Sequence, residues 1–233
     1  MESLAQTFTE ALRLLLSGDP DLWSIIGVSF SVSLRALGFT APLALGLALT
    51  LTLGRVWGGR WVLSLCNALL ALPTVLIGLL LYLLLTRQGP LGDLRLLFTQ
   101  KAMMLAQMVL CFPLLVSLMH STLRSAHRQT WETARMLGAS PLRASGTLIL
   151  EVRFGLLTAL VAGFGRVISE VGGSMMLGGN ILYHTRNMTT AIALETSKGE
   201  FAQGIALGLL LLGLSLLINL ALGHLQGVER AWT

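Results

Sequence analysis

Residues 61–86 read WVLSLCNALLALPTVLIGLLLYLLLT, and no Asp, Glu, Lys, Arg or His occurs among them. A helix of this length rises about 39 Å at 1.5 Å per residue, more than the ~30 Å hydrocarbon core of a bilayer. The stretch therefore predicts a transmembrane helix. We expect a bend at Pro73, because proline removes a backbone donor and clashes with the preceding turn.

Similar apolar runs lie on both sides of this one. The chain is 54% hydrophobic and 12% charged, against roughly 25% charged for an average soluble domain, and this composition excludes soluble globular and disordered classes. The sequence predicts an all-α polytopic membrane protein with about five transmembrane helices, and a sixth span would require the first run to be split. The predicted spans are residues 22–53, 61–86, 102–119, 154–177 and 201–223.

The remaining segments complete the predicted layout. Apolar residues at helical spacing predict an amphipathic interfacial segment over residues 1–20, followed by a single membrane domain at 21–224 and a tail at 225–233. A long loop, 120–153, separates the third and fourth spans. Eight Lys and Arg residues lie in loops and termini on the same side of the membrane as this loop, and six lie on the other side. The positive-inside rule therefore places the N-terminus outside and the loop and C-terminus in the cytoplasm. Basic residues this scattered predict no nucleic-acid partner.

The sequence offers no catalytic or metal-ligating pattern. Neither Lys101 nor Lys198 follows a glycine as a P-loop requires, and Cys66 and Cys111 lie in apolar runs without metal-ligand spacing. We therefore expect a chain that is not an enzyme and holds neither metal nor cofactor. Uphill transport would need either a partner ATPase or an ion gradient. A gradient-driven carrier has only Arg166 and Glu170 as titratable groups at depth.

The loop at 120–153 has a helical pattern of its own. Residues 131–141, WETARMLGASP, predict a short helix, a stop at Gly138 and a new helix starting near Pro141. Apolar Met136, Leu137 and Leu142 with basic Arg135 and Arg143 would suit a docking surface for another protein. An interfacial helix resting on lipid headgroups is the alternative.

These residues carry a resemblance to a known family. Glu132-Thr133-Ala134 with Gly138 resembles the Glu-Ala-Ala…Gly loop of ABC-importer permeases, although Thr133 stands where that loop has alanine. Further segments in order resemble the permeases of the molybdate, tungstate and sulfate group, and residues 189–201 resemble the tungstate branch most. These segments are residues 89–92, 153–155, 163–166, 170–172, 178–181, 185–186 and 189–195.

The resemblance implies a type I ABC-importer permease fold in the cell (inner) membrane, with two copies of the chain forming the pore. It implies a coupling helix that docks on a cytoplasmic ATPase dimer, which uses ATP and Mg, and an extracytoplasmic oxyanion-binding protein that delivers the cargo. Tungstate is the expected cargo, with molybdate or sulfate as alternatives. The implied coupling residues are Glu132, Thr133, Ala134, Arg135, Gly138 and Ala139.

Charged and small residues near the fourth span are candidates for the translocation path or gate. Arg166 and Glu170 lie four residues apart on one helix face, where an ionisable residue in a span should pair and face the bundle interior. A plain ion pair and small-residue packing remain the alternatives. The candidates are Arg166, Ser169, Glu170, Gly172, Gly178, Asn180 and Thr189.

Overall fold

A computed structural model describes Thr9, Arg13 and residues 17–54 and 58–230. Within this part every regular element is helical, and the prediction of an all-α protein is confirmed. The predicted interfacial segment at 1–20 and the end of the predicted tail fall largely or wholly outside the described residues. The helices are α1 (Pro20–Leu53), α2 (Gly59–Leu70), α3 (Thr74–Leu85), α4 (Gln100–Ala126), α5 (Glu132–Met136), α6 (Pro141–Glu151), α7 (Arg153–Ile168), α8 (Gly172–Gly178), α9 (Met188–Lys198) and α10 (Phe201–Arg230).

The long helix α4 lies at the centre of the bundle. In its most apolar 18 residues 56% are buried, against 22% for α1 and 17% for α10. It packs against α1, α2, α3, α6, α7 and α8, and fully buried Cys111 and Leu115 belong to its core face. Because α4 contacts most of the other helices, its packing sets their positions relative to one another.

The charge-free run that begins at Trp61 forms two helices rather than one. α2 and α3 meet at an angle of 101°, and Pro73 is the N-cap of α3 with extended backbone. Proline disfavours helical geometry at the preceding residue and supplies no N–H, so the chain leaves the helix and restarts at Thr74. The 101° angle between α2 and α3 is sharper than the bend that was predicted within a single span.

The predicted fourth span is also interrupted. α7 ends at Ile168 and α8 begins at Gly172, and we call the intervening residues 169–171 the break. At its other end α7 meets α6 at 69°. α8 then packs on α3 and α4, where Gly78 and Gly173 approach so closely that a Cβ on Gly78 would lie 3.1 Å from the Gly173 Cα.

Three further predicted spans fall within single helices. The runs 22–53, 102–119 and 201–223 lie in α1, α4 and α10, and α4 extends past its run to Ala126. α9, which the apolar runs did not predict, packs against α10 and α1. In the described part, three helices are long and apolar enough to cross a membrane, or up to five if each bent pair is one span.

Candidate functional site

A short helical unit occupies the loop that the sequence predicted as a docking surface. α4 continues through a π-helical turn, His127–Trp131, directly into α5. Gly138 has φ +89°, and the N–H groups of Gly138 and Ala139 bond to the carbonyls of Arg135 and Ala134 at 3.1 and 3.0 Å. This is a Schellman cap. The predicted order of helix, glycine stop and new helix at Pro141 is confirmed.

Apolar side chains project from this unit into open space. Met136, Leu137 and Leu142 are 86%, 84% and 84% exposed, and no residue of α5 is buried. Arg135 lies beside them: its Nη1 donates to the Ala139 carbonyl at 2.6 Å, and its guanidinium lies 5.9 Å from the centre of the Trp131 ring. We call Met136, Leu137 and Leu142 the docking triad. Exposed apolar surface of this kind suits either a protein partner or lipid headgroups.

All six predicted coupling residues lie in this unit. Four of them form the body of α5, Gly138 makes the left-handed turn, and the Ala139 carbonyl holds Arg135 in place. The structure therefore brings them together locally, as their closeness in sequence requires.

A partly buried ion pair lies where α7 ends. Arg166 Nη1 donates to Glu170 Oε2 at 3.1 Å, and the Glu170 side chain is 2% exposed against 36% for Arg166. The other carboxylate oxygen, Oε1, accepts from the Gly173 N–H at 3.0 Å. Glu170 thus satisfies a free backbone donor at the start of α8 and a guanidinium at the end of α7, and one side chain fixes both sides of the break.

Thr189 connects the break to α9. Its hydroxyl lies 2.7 Å from the Glu170 carbonyl oxygen and 2.9 Å from Asn187 Oδ1. Asn187 caps α9 by accepting from the Thr190 N–H at 2.9 Å. The Thr190 hydroxyl in turn accepts from the Asn187 N–H, which completes a capping box. Arg166, Glu170 and Thr189 therefore form one connected cluster.

The other path candidates lie around this cluster in different roles. Gly172 packs on Val75, whose Cγ2 would lie 2.9 Å from an added Cβ. Ser169 is exposed, and its hydroxyl donates to the Gly165 carbonyl at 2.8 Å. Gly178 and Asn180 lie at the far end of α8. The Gly178 carbonyl accepts from the Thr185 hydroxyl at 2.6 Å, and Asn180 has φ +52°.

Three polar residues outside the predicted set support this region. Gln107 on α4 donates from Nε2 to the Val167 carbonyl at 3.0 Å. Ser29 on α1 accepts from the Met188 N–H at 2.7 Å. Asn187 caps α9, and its spacing to Thr190 was a local signal for the start of this helix, as Gly199 was for its end. A buried glutamine inside an apolar run was a weaker signal for Gln107.

The described residues contain no group of three His, Cys, Asp or Glu side chains placed to hold a metal ion. Cys66 and Cys111 are buried and unpaired.

Comparison with known proteins gives one family and a consistent set of relatives. A family model described as "Binding-protein-dependent transport system inner membrane component" matches residues 41–227. The chain is 37% identical to the tungstate uptake system permease protein of Peptoclostridium acidaminophilum over 97% of this chain and 99% of that protein.

Two further relatives are similar in kind. The tungstate uptake system permease protein of Campylobacter jejuni is 41% identical over 69% of this chain and 67% of its own. A probable anion ABC transporter permease protein of Haloferax volcanii is 40% identical over 87% of this chain and 89% of its own.

Proposed function

Because the chain belongs to the family of binding-protein-dependent transport system inner membrane components, we propose that it is the permease subunit of an ATP-driven importer that carries tungstate. The observation that carries the proposal is the similarity to a tungstate uptake permease over nearly the full length of both chains. Permeases for molybdenum and sulfate resemble the chain less, so these anions are the second choice of cargo. Together with the apolar helices, the family implies a multi-pass inner-membrane protein.

The proposal includes partners that complete the transporter. Two copies of the chain would line the pore, an extracytoplasmic binding protein would deliver the anion, and a cytoplasmic ATPase dimer would use ATP and Mg²⁺. Neither the chemistry of hydrolysis nor a cofactor is assigned to this chain. The distribution of Lys and Arg supports an orientation with the N-terminus outside and the docking triad in the cytoplasm.

The docking triad supports contact with the ATPase. Met136 ends the five-residue helix α5, Leu137 follows it and Leu142 belongs to α6. All three side chains bury little against their own chain, and their burial in a cleft would be favourable at about 1.5–3 kcal/mol for each side chain. Arg135 and Arg143 would add charged contacts around them. The Schellman cap at Gly138 keeps the triad in one arrangement before docking.

The break supports a role in gating the path. A helix interrupted inside a predicted span exposes backbone groups that need partners, and Glu170, Thr189 and Gln107 provide them. These contacts involve α4, α7, α8 and α9, and movement of α4 would act on this region through the bond from Gln107 to the Val167 carbonyl. Arg166 and Glu170 form an ion pair with each other. This pairing leaves few free titratable groups for a proton or sodium relay in the described spans.

The test is ATP hydrolysis and anion uptake by the chain in lipid vesicles with its ATPase and binding protein. Tungstate, molybdate and sulfate are titrated separately. Stimulation and uptake at the lowest concentrations of tungstate are expected. The same response to molybdate or sulfate would keep the transport mechanism and change the cargo. Failure to assemble with any ATPase would remove the proposal and favour a gradient-driven carrier.

A further inference from the structure

A cavity between α1 and α4 is lined by two cationic side chains. Its volume is about 400 Å³, where about 10–15 Å³ suffices for one water. Arg35 from α1 and Lys101 from α4 line it together with Gln100, and the rest of its wall is apolar, including Phe39 and Met104. Among the described residues no carboxylate lines the cavity, so the two cations give its wall a positive electrostatic potential.

The arginine is held in place by a polar contact across the bundle. Arg35 Nη1 donates to Gln100 Oε1 at 3.4 Å, and Gln100 Nε2 donates to the His184 carbonyl at 2.8 Å. The second bond fixes which end of the amide faces the arginine, since only the oxygen accepts. Arg35 and Lys101 are both exposed, and within the described residues neither makes an ion pair.

We propose that Arg35 and Lys101 form a transient binding station for the transported oxyanion at the outer approach to the pore. This inference rests on the proposed function, because it takes a tetrahedral dianion as cargo. Gln100 and Lys101 begin α4, which is its extracytoplasmic end in the proposed orientation. Two cations without a carboxylate attract such an anion by charge, and the scarcity of hydrogen-bond donors around them lets it leave again, as a conduction pathway requires.

A lipid phosphate shares this chemistry, because it is also a tetrahedral oxyanion next to an apolar chain. The two sources differ in access: a phospholipid would fill the cavity and exclude small ions from water, whereas a station on the path must admit them. The experiment therefore measures access and local potential in the cavity directly.

A single cysteine at Met104 is introduced into a chain in which Cys66 and Cys111 are replaced by alanine, and the assembled transporter is placed in vesicles. Rates of reaction with an anionic and a cationic thiol reagent are compared with those of a control, Ser197→Cys, at an exposed position of α9. We expect the anionic reagent to be favoured about tenfold more at Met104→Cys than at the control. Tungstate should slow the reaction at Met104→Cys alone.

Charge variants test which residues are responsible. Arg35→Gln with Lys101→Gln should abolish the preference for the anionic reagent, and Arg35→Lys with native Lys101 should retain it. In the chain with native cysteines, the neutral pair should lower tungstate transported per ATP hydrolysed about tenfold.

Equal reagent preference at the two cysteines, or no protection by tungstate, would overturn the station. Loss of dimer assembly in Arg35→Gln would overturn it as well, because it would show that Arg35 pairs with a carboxylate on the second copy. The proposed function fails separately, if the unmodified transporter takes up no oxyanion. Uptake by the unmodified transporter without the reagent preference would remove the station alone.

Discussion

The Thr189 hydroxyl lies 2.7 Å from the backbone carbonyl oxygen of Glu170, although the two residues belong to segments on opposite sides of α8. From the break the chain continues through α8 and returns to the break at the start of α9, where this contact joins the two segments. The break is thereby held from two directions, by the carboxylate of Glu170 and by its carbonyl. Its geometry depends on both contacts.

Removing the buried charge should destabilise the break. Glu170→Gln leaves Arg166 without its partner, and we expect a loss of about 1–3 kcal/mol in the free energy of unfolding, because an unpaired charge keeps its desolvation cost. Thermal unfolding of the purified chain in detergent measures it as a lower Tm.

A double-mutant cycle separates the pair from other effects. Arg166→Met combined with Glu170→Gln should cost less than the sum of the two single changes, since neither charge is then left alone. Additive losses would mean that the 3.1 Å contact contributes nothing to stability.

Gly138 should matter for its backbone conformation alone. An added Cβ would meet no atom within 4 Å, but φ is +89°, which costs an L-residue about 1–2 kcal/mol and more for a β-branched one. Gly138→Val should reduce assembly with the ATPase and uptake by at least several-fold. Gly138→Asn should be milder.

Gly146 provides the matched control for this change. It lies in α6 with equally open surroundings and no positive φ, so Gly146→Ala should assemble and transport normally. Unchanged assembly and uptake in Gly138→Val would count against docking through this loop.

Gly78 should be intolerant of any side chain. In Gly78→Ala the new methyl would lie 3.1 Å from the Gly173 Cα and 3.2 Å from the Met176 Sδ, so α3 and α8 must separate. We expect a loss of about 1–3 kcal/mol, seen as a lower Tm. Gly46→Ala on α1, with nothing within 4 Å, should show no loss; equal behaviour of the two would refute the close contact.

Tyr183 should titrate above the usual range for tyrosine. Its hydroxyl donates to Asp21 Oδ1, and this bond and the charges of Asp21 and Asp19 raise its pKa. Stabilisation by the contact is complete below pH ~10, the pKa of a free tyrosine, and is lost as the pH rises through the higher folded pKa.

The chain has two tyrosines, so the absorbance difference between the native chain and Tyr183→Phe isolates this titration. Asp21→Asn, which keeps an acceptor and removes the charge, should return the transition toward pH ~10. No movement of the transition in Asp21→Asn would contradict the assigned cause.

The length of apolar runs was enough to predict the long helices α1, α4 and α10. It was not enough for the run from Trp61, because 26 residues suit one span as well as two short helices, and only packing decides how far Pro73 opens the chain. α9 escaped prediction because its residues form no long apolar run, although Asn187 and Gly199 marked its ends.

The site was predictable where its residues are close in sequence. The i, i+4 spacing of Arg166 and Glu170 predicted their ion pair, and Gly138 with Pro141 predicted the docking unit. Thr189, by contrast, was a candidate through family resemblance alone, and its contact with Glu170 depends on how α8 folds back. Gln107 reaches Val167 across 60 positions of sequence, a pairing no local pattern contains.

The passage from α4 through the π-helical turn into α5 is continuously helical over residues 100–136. A flexible linker would absorb a displacement of the docked helix, whereas a continuous helix can transmit the displacement along its axis. The docking triad begins with Met136 at one end of this helical stretch, and Gln107, near the other end, donates to the Val167 carbonyl beside the break. We therefore expect displacement of the triad to reach the break through this helix.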